Sequence, residues 1–211
     1  VEVKERILAK SADLFMRYGI RSITMDEIAT TLGISKKTIY QFFTDKDDLV
    51  FAVVEQEIGK NEDECLQFRN EASDAIHEIF LAVEDLEELL AYTNPLMLYD
   101  LEKYHPRAFQ KIKQYKYQFL HDATTENLRR GIEEGLYRKD IQKDIVAKSR
   151  VEAAFLVFNI DLFPHSRYSM SEVNFELALL FLHGVANEKG KQLIEQYTTE
   201  RNKKLSHEQK V

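Results

Sequence analysis

Cysteine occurs once in the 211 residues, proline three times and glycine seven times, and each shortage removes a class of architecture. The lone Cys65 cannot close an internal disulfide, so a cross-linked scaffold is excluded and a reducing compartment is expected. A buried structural thiol is a commoner fate for such a residue than a redox role. No window approaches the roughly 18 uninterrupted apolar residues of a membrane span. The opening VEVKERILAK also lacks the apolar stretch of a signal peptide, so a cytoplasmic location is the expectation. Turn residues are sparse and no alternating strand pattern is bounded by tight-turn dipeptides, which leaves an all-α reading. Enzyme signatures are missing too: no glycine-rich phosphate loop, no paired-cysteine spacing and no H-E-x-x-H. His77, His105, His121, His165, His183 and His207 are scattered, so we expect no catalytic residue, no metal site and no cofactor.

What is present is 44% apolar residue, enough for a real core, and a formal charge of −7. That sign argues against a nucleic-acid partner only on average. Lys36, Lys37 and Lys46 cluster near the N-terminus, whereas Glu84, Asp85, Glu87 and Glu88 lie later. An acidic body would repel a polyanion from everything except the basic end and so orient the encounter.

Helical periodicity divides the chain. A first helix is predicted over about 2–18, with Ile7, Leu8, Ala12, Leu14, Phe15 and Tyr18 on one stripe and Gly19 as its stop. Later helices are predicted over about 45–68, 73–92, 95–104, 106–136, 143–163 and 172–188, with a short final one through KQLIEQY and a charged tail. Pro95, Pro106 and Pro164 mark helix edges, Pro95 as the first helical residue behind an Asn94 cap.

The most informative stretch is SITMDEIATTLGISKKTIYQFFTDKDDL. Thr24 and Glu27 form a capping box, with Ile23 and Ile28 as a hydrophobic staple. Met25, Ile28, Ala29 and Leu32 then repeat on one face, and Gly33 supplies a left-handed stop. Ser35 caps the next helix, and Ile34 with Ile39 make a second staple. Two short helices joined by a few residues are a helix-turn-helix. On the second of them Ile39, Phe42 and Phe43 project to one side, leaving Lys36, Lys37, Tyr40 and Gln41 on the other. Lysine can neutralise phosphate or donate to guanine, glutamine can pair bidentately with adenine, and a tyrosine hydroxyl can bond a phosphate oxygen. Thr44 and Asp47 are expected to form another capping box, placing Lys46 at a helix N-terminus where an anion is welcome. The competing reading of the lysines is a solvated helix face.

ILAKSADLFMRYG, TMDEIATTLGISKKTIYQFF and DKDDL, spanning Ile7 to Leu49, resemble the DNA-binding domain of the TetR family of bacterial transcriptional regulators. The resemblance implies an N-terminal three-helix helix-turn-helix domain over 1–46. It also implies a helical effector-binding and dimerisation domain over 47–211, about nine or ten helices in all. It places Lys36, Lys37, Thr38, Tyr40 and Gln41 as major-groove reading positions behind Ser35, with Thr24 and Lys46 at phosphate-contacting positions. Phe42 departs from the polar ring many relatives carry there; its wheel position points to the core, and it is left out.

The resemblance weakens beyond the first quarter, although 94–108, 131–140 and 181–197 also look like segments of such regulators. The helix from Glu172 carries apolar residues around nearly its whole circumference, which calls for burial on two sides. Either it is the central helix of a monomeric bundle, or it joins a two-fold interface with the helix near 151–162. The family dimerises through its last two long helices, so the interface is expected at Val151, Ala154, Phe158, Phe175, Leu179, Leu182 and Ala186. Pairing would let two reading heads meet half-sites about one DNA turn apart. An aromatic-lined effector pocket is expected among Tyr92, Met97, Tyr99, Tyr104, Phe109, Tyr115, Phe119 and Phe155, although aromatics at helical spacing are more often plain core. The resemblance thus implies a homodimeric repressor, released from a palindromic double-stranded operator by a small-molecule effector. The alternative is an all-helical protein-interaction module that does not bind DNA.

Overall fold

Local capping delimits the first helices as the sequence anticipates. In the computed structural model, which describes residues 2–208, α1 (Val3–Tyr18) ends at Gly19, whose φ of 81° is open to glycine without strain. Its buried face is Ile7, Leu8, Ala12, Leu14 and Phe15, but Tyr18, expected on that stripe, is exposed. α2 (Met25–Leu32) starts at the Thr24–Glu27 capping box and stops at Gly33, which is left-handed at φ 66°. Ser35 caps α3 (Lys36–Tyr40), its side chain accepting from the Thr38 amide. α4 (Lys46–Glu71) is capped by Asp45, which accepts from Asp48, and the Asp48 carboxylate accepts in turn from the Thr44 amide. The expected Thr44–Asp47 box is therefore displaced by one residue.

The body follows as α5 (Ala75–Tyr92), α6 (Met97–Tyr104), α7 (Pro106–Gln114), a π-helical turn (Tyr115–Leu120), α8 (His121–Glu133), α9 (Lys143–Phe155), α10 (Met170–Val185) and α11 (Glu188–Glu208). Among the described residues there is no strand, only an isolated bridge between Tyr137 and Ala186. The side chains of Glu88 and His207 lie outside the described residues.

Three sequence expectations need correction. Pro95 is not the first residue of α6: Asn94 accepts from the Leu96 and Met97 amides, making a turn that delays the helix to Met97. α9 does not run to Phe163; it tightens to a 3-10 turn at Leu156–Phe158, and Asn159 bonds back to Leu156. The last helix is long rather than short, because α11 packs on α5 and α10 instead of fraying.

Of three buried clusters, two are large, and a smaller one joins Leu90, Val157, Met170 and Val173. Ile7, Phe15, Ile28, Ile39, Phe43, Leu49, Val50 and Val53 form the N-terminal core, completed by Leu101 and Ala108 from α6 and α7. This unit crosses the division expected at 46/47 and uses the first turns of α4. In the body, Ile76, Phe80, Leu128, Leu136, Tyr137, Leu182 and Ile194 pack together. Gly131 permits the closest approach there: a Cβ would sit 2.2 Å from the Tyr137 ring.

Candidate nucleic-acid interface and effector cavity

α3 is held by its apolar underside. Ile39 and Phe43 are fully buried, while Lys36, Lys37, Tyr40 and Gln41 are exposed and Thr38 is half-exposed. The helix is only five residues long, and its exposed side is therefore a compact set of donors on a rigid base. Thr24 lies on the same N-terminal unit; its amide and hydroxyl both donate to Glu27, at 2.6 and 2.9 Å, which holds that carboxyl below its ordinary range. Ser35 and Thr38 share a hydroxyl contact of 2.9 Å. Lys36 pairs with Asp26 at 2.7 Å, and this hydrogen bond raises its pKa. A phosphate would have to compete with Asp26 for that ammonium.

Two expectations change here. Lys46 turns inward: its Nζ donates to the Ile20 carbonyl at 2.5 Å, beside the Phe15 ring, and burial lowers its pKa. That carbonyl, in the turn after α1, also accepts a longer bond of 3.4 Å from the Ile23 amide. Lys46 is consequently not an outward phosphate ligand in this arrangement. Phe42, expected in the core, is 37% exposed. The helical wheel stops applying at Tyr40, since the chain leaves α3 in a tight turn in which both Phe42 and Phe43 bond back to Ile39.

Within the body lies a cavity of about 720 Å³, walled mainly by apolar side chains such as Leu66, Ile79, Leu86, Leu89 and Phe158. A second lobe of about 400 Å³ shares Met16, Asn61, Met97, Tyr115 and Phe155 with it. Of the expected pocket residues, Met97, Tyr115, Phe119 and Phe155 line the main cavity, and Tyr92 lines the second lobe. Tyr99, Tyr104 and Phe109 do not. Tyr99 and Tyr104 are exposed, the former accepting from Lys103, the latter from Arg21, and Phe109 packs against the N-terminal core. The error has one cause: α6 and α7 present their opposite faces to the cavity, and composition does not say which.

Apart from Tyr115, the polar members of the wall were not among the expected pocket residues. Tyr115 donates to Asn61, and burial pushes its hydroxyl well above the ordinary tyrosine range. Cys65 also lines the wall; burial and neighbouring acids push its thiol up to about 11, which makes it a poor nucleophile near neutrality. Arg69, Glu78, Asp85, Asp122, Glu126, Arg150 and Asn174 are further polar members of the wall. No sequence signal marked Asn61, Arg150 or Asn174, because polar residues on these helices outnumber those that turn inward and nothing local says which do.

Cavity and N-terminal unit are physically joined. Met16 of α1 and Met97 of α6 belong to the cavity wall. The Asn94 amide donates to the Met16 carbonyl at 2.6 Å, the Asp100 carboxylate accepts from the Arg21 amide at 3.1 Å, and buried His105 contacts Asp47 at 2.8 Å. His105, which reads from sequence as a mere helix boundary, therefore ties the α6–α7 corner to the start of α4.

The residues expected at a dimer face are mostly turned inward. Val151, Leu182 and Ala186 are buried in the protomer's own core, Ala154 and Phe158 line the cavity, and Phe175 and Leu179 pack inward. The outward apolar residues of α9 and α10 are Ile145 and Leu180, 61% and 71% exposed, with Phe181 half-buried beside the latter.

Residues 7–53 match the family described as bacterial regulatory proteins, tetR family. The chain is 35% identical over 102 residues to the HTH-type transcriptional regulator YvaF of Bacillus subtilis, a match spanning 48% of this chain and 53% of that protein. The chain thus spans about half the length of that relative. Among solved structures, a TetR-family regulator from Agrobacterium tumefaciens superposes with a TM-score of 0.73 at 18% identity, covering 87% of this chain and 97% of that one. A transcriptional regulator from Saccharomonospora viridis in complex with choline superposes with a TM-score of 0.70 at 19% identity, covering 88% and 98%. At such identities the superpositions establish a common fold. Among the described residues no helix is long and apolar enough to cross a membrane.

Proposed function

Because the chain belongs to the TetR family of bacterial regulatory proteins, we propose that it is a cytoplasmic, homodimeric repressor that leaves its operator when a small molecule fills the helical body. The carrying observation is α3: Lys36, Lys37, Tyr40 and Gln41 stand exposed on a helix whose other side, Ile39 with Phe43, is wholly buried. Such a helix offers a major groove its side chains without unfolding anything. Thr38 lies on α3 with these residues, and Ser35 and Thr24 flank it, where their hydroxyls can reach phosphate once the Thr24 hydroxyl leaves Glu27. The protomers would meet through the outward side of α9 and α10, around Ile145, Leu180 and Phe181, since exposed apolar residues of that size on adjoining helices favour burial in a partner.

The regulatory step follows from the shared wall. An effector in the cavity touches α4 at Asn61 and Cys65 and α1 at Met16. It lowers operator affinity only if it binds the DNA-incompetent spacing of the two α3 helices better than the competent one. The choline seen in the Saccharomonospora relative supports a small-molecule cavity of this kind.

The test is selection of bound sequences from random duplex DNA by the full chain. A palindrome with half-sites about one helical turn apart is expected. The combined Lys36→Ala, Lys37→Ala, Tyr40→Ala variant should lose retention while remaining a folded dimer. Undiminished retention would refute the assignment of α3.

A further inference from the structure

Two buried donors in the wall of the apolar cavity have no acceptor. Arg150 of α9 and Asn174 of α10 both line it, on two helices that pack against each other. Arg150 Nη1 and Asn174 Nδ2 are both inaccessible to solvent and have no hydrogen-bond acceptor in the protein. Both atoms are donors. A buried donor without an acceptor costs on the order of 1–3 kcal/mol, and more when charged, so the unpartnered Arg150 in particular calls for an acceptor.

The charge balance agrees. Arg69, which also lines the cavity, is paired with Glu126 at 2.5 Å. Among the described residues no carboxylate lies within ion-pair distance of Arg150; its guanidinium only faces the Phe181 ring at 5.6 Å. Burial alone pulls its pKa down, to about 10, which leaves it a cation at neutral pH. The acids of the same wall are otherwise engaged. Glu126 serves Arg69 and Arg129, Glu78 serves Arg130, and Asp122 meets His121. Asp85 has no such partner but is exposed, and water can satisfy it. The deficit is therefore one of negative charge, located at Arg150.

We infer that the effector is an amphipathic monocarboxylate, its carboxylate accepting from Arg150 and Asn174 and its apolar body lying along Leu86, Leu89, Phe119 and Phe155. A planar carboxylate suits the guanidinium fork, and a cavity of about 720 Å³ lies within the size class that encloses small ligands. This inference rests on the reading of the cavity as the effector site.

The test is calorimetric titration of the full chain with dodecanoate, dodecanol, 4-phenylbutyrate, 4-phenylbutanol and choline. The acids are expected to bind on the order of tenfold to a hundredfold tighter than their alcohols, the worth of a charge-assisted hydrogen bond to a buried partner. Arg150→Gln should erase that preference while leaving alcohol binding in place; because the acid–alcohol comparison is made first on the unaltered protein, misfolding of the variant would not shelter the idea. Equal binding of acid and alcohol, no binding of either acid, a preference that survives Arg150→Gln, or choline binding in place of the acids would each overturn it. Retention on the selected operator is measured in parallel. An acid that binds through Arg150 yet leaves operator affinity unchanged would refute the regulatory reading and uphold the carboxylate site.

Discussion

Lys37 offers the most quantitative check on the interface. It is exposed on α3 and, unlike Lys36, is not tied to Asp26. Replacing it with alanine removes one cation per protomer and so two from the proposed dimer. Each phosphate neutralised contributes about 0.9 to the slope of log affinity against log salt, so Lys37→Ala should flatten that slope by about 1.8. Between about 50 and about 200 mM salt, a fourfold range, this corresponds to about a twelvefold change in the penalty. The variant should therefore look far worse at low salt than at high salt. The assay is fluorescence anisotropy of labelled operator across a salt series, with the melting temperature as a control, since an exposed side chain off the core leaves stability within about 0.5 kcal/mol. An unaltered slope would show that Lys37 contacts no phosphate. A steep loss of affinity independent of salt would instead mean that it reads a base edge.

Other consequences are simpler. Asp26→Asn should strengthen operator binding, because Lys36 is freed and a negative charge leaves the interface; weaker binding in the anisotropy assay would contradict the assigned face. Leu180→Asp places a charge on the outward side of α10, where Leu180 is 71% exposed in the protomer; monomers are expected by sedimentation with helical content retained, and an intact dimer would move the interface elsewhere. Gly131→Ala brings a methyl to 2.2 Å from the buried Tyr137 ring, so a loss of about 1–3 kcal/mol is expected from overpacking, read by thermal unfolding. Cys65, with its thiol pushed from 9.0 up to about 11, should alkylate slowly at neutral pH, with a rate that climbs as pH rises towards that value; a fast reaction at pH 7 would deny the burial.

The local rules were readable before any coordinates. Thr24, Glu27, Gly33 and Ser35 delimit α2 and α3 through bonds that reach no more than five residues, and Ile28 and Ile39 bury at helical spacing. For that reason the helix-turn-helix, the all-helical class and the outward Lys36, Lys37, Tyr40 and Gln41 could be written from sequence alone. Phe42 marks where that logic stops: a helix of five residues ends before the wheel has turned, and only the packed N-terminal unit decides which of two adjacent phenylalanines is inside.

The body depended on contacts far apart in the chain. Nothing local distinguishes Tyr115, in the cavity wall, from Tyr99, at the surface, or the outward Leu180 from the buried Leu182. A helix buried around most of its circumference gives no periodic clue to which neighbour covers which side. Lys46 reaching back to Ile20, His105 meeting Asp47, and Arg150 with Asn174 left without acceptors all arise from the placement of helices against one another. Sequence determined the helices and the exposed face of α3, because capping and periodicity act within a turn or two. Tertiary structure alone decided the cavity, its charge and the outward face of α10, because those are set by which surfaces meet.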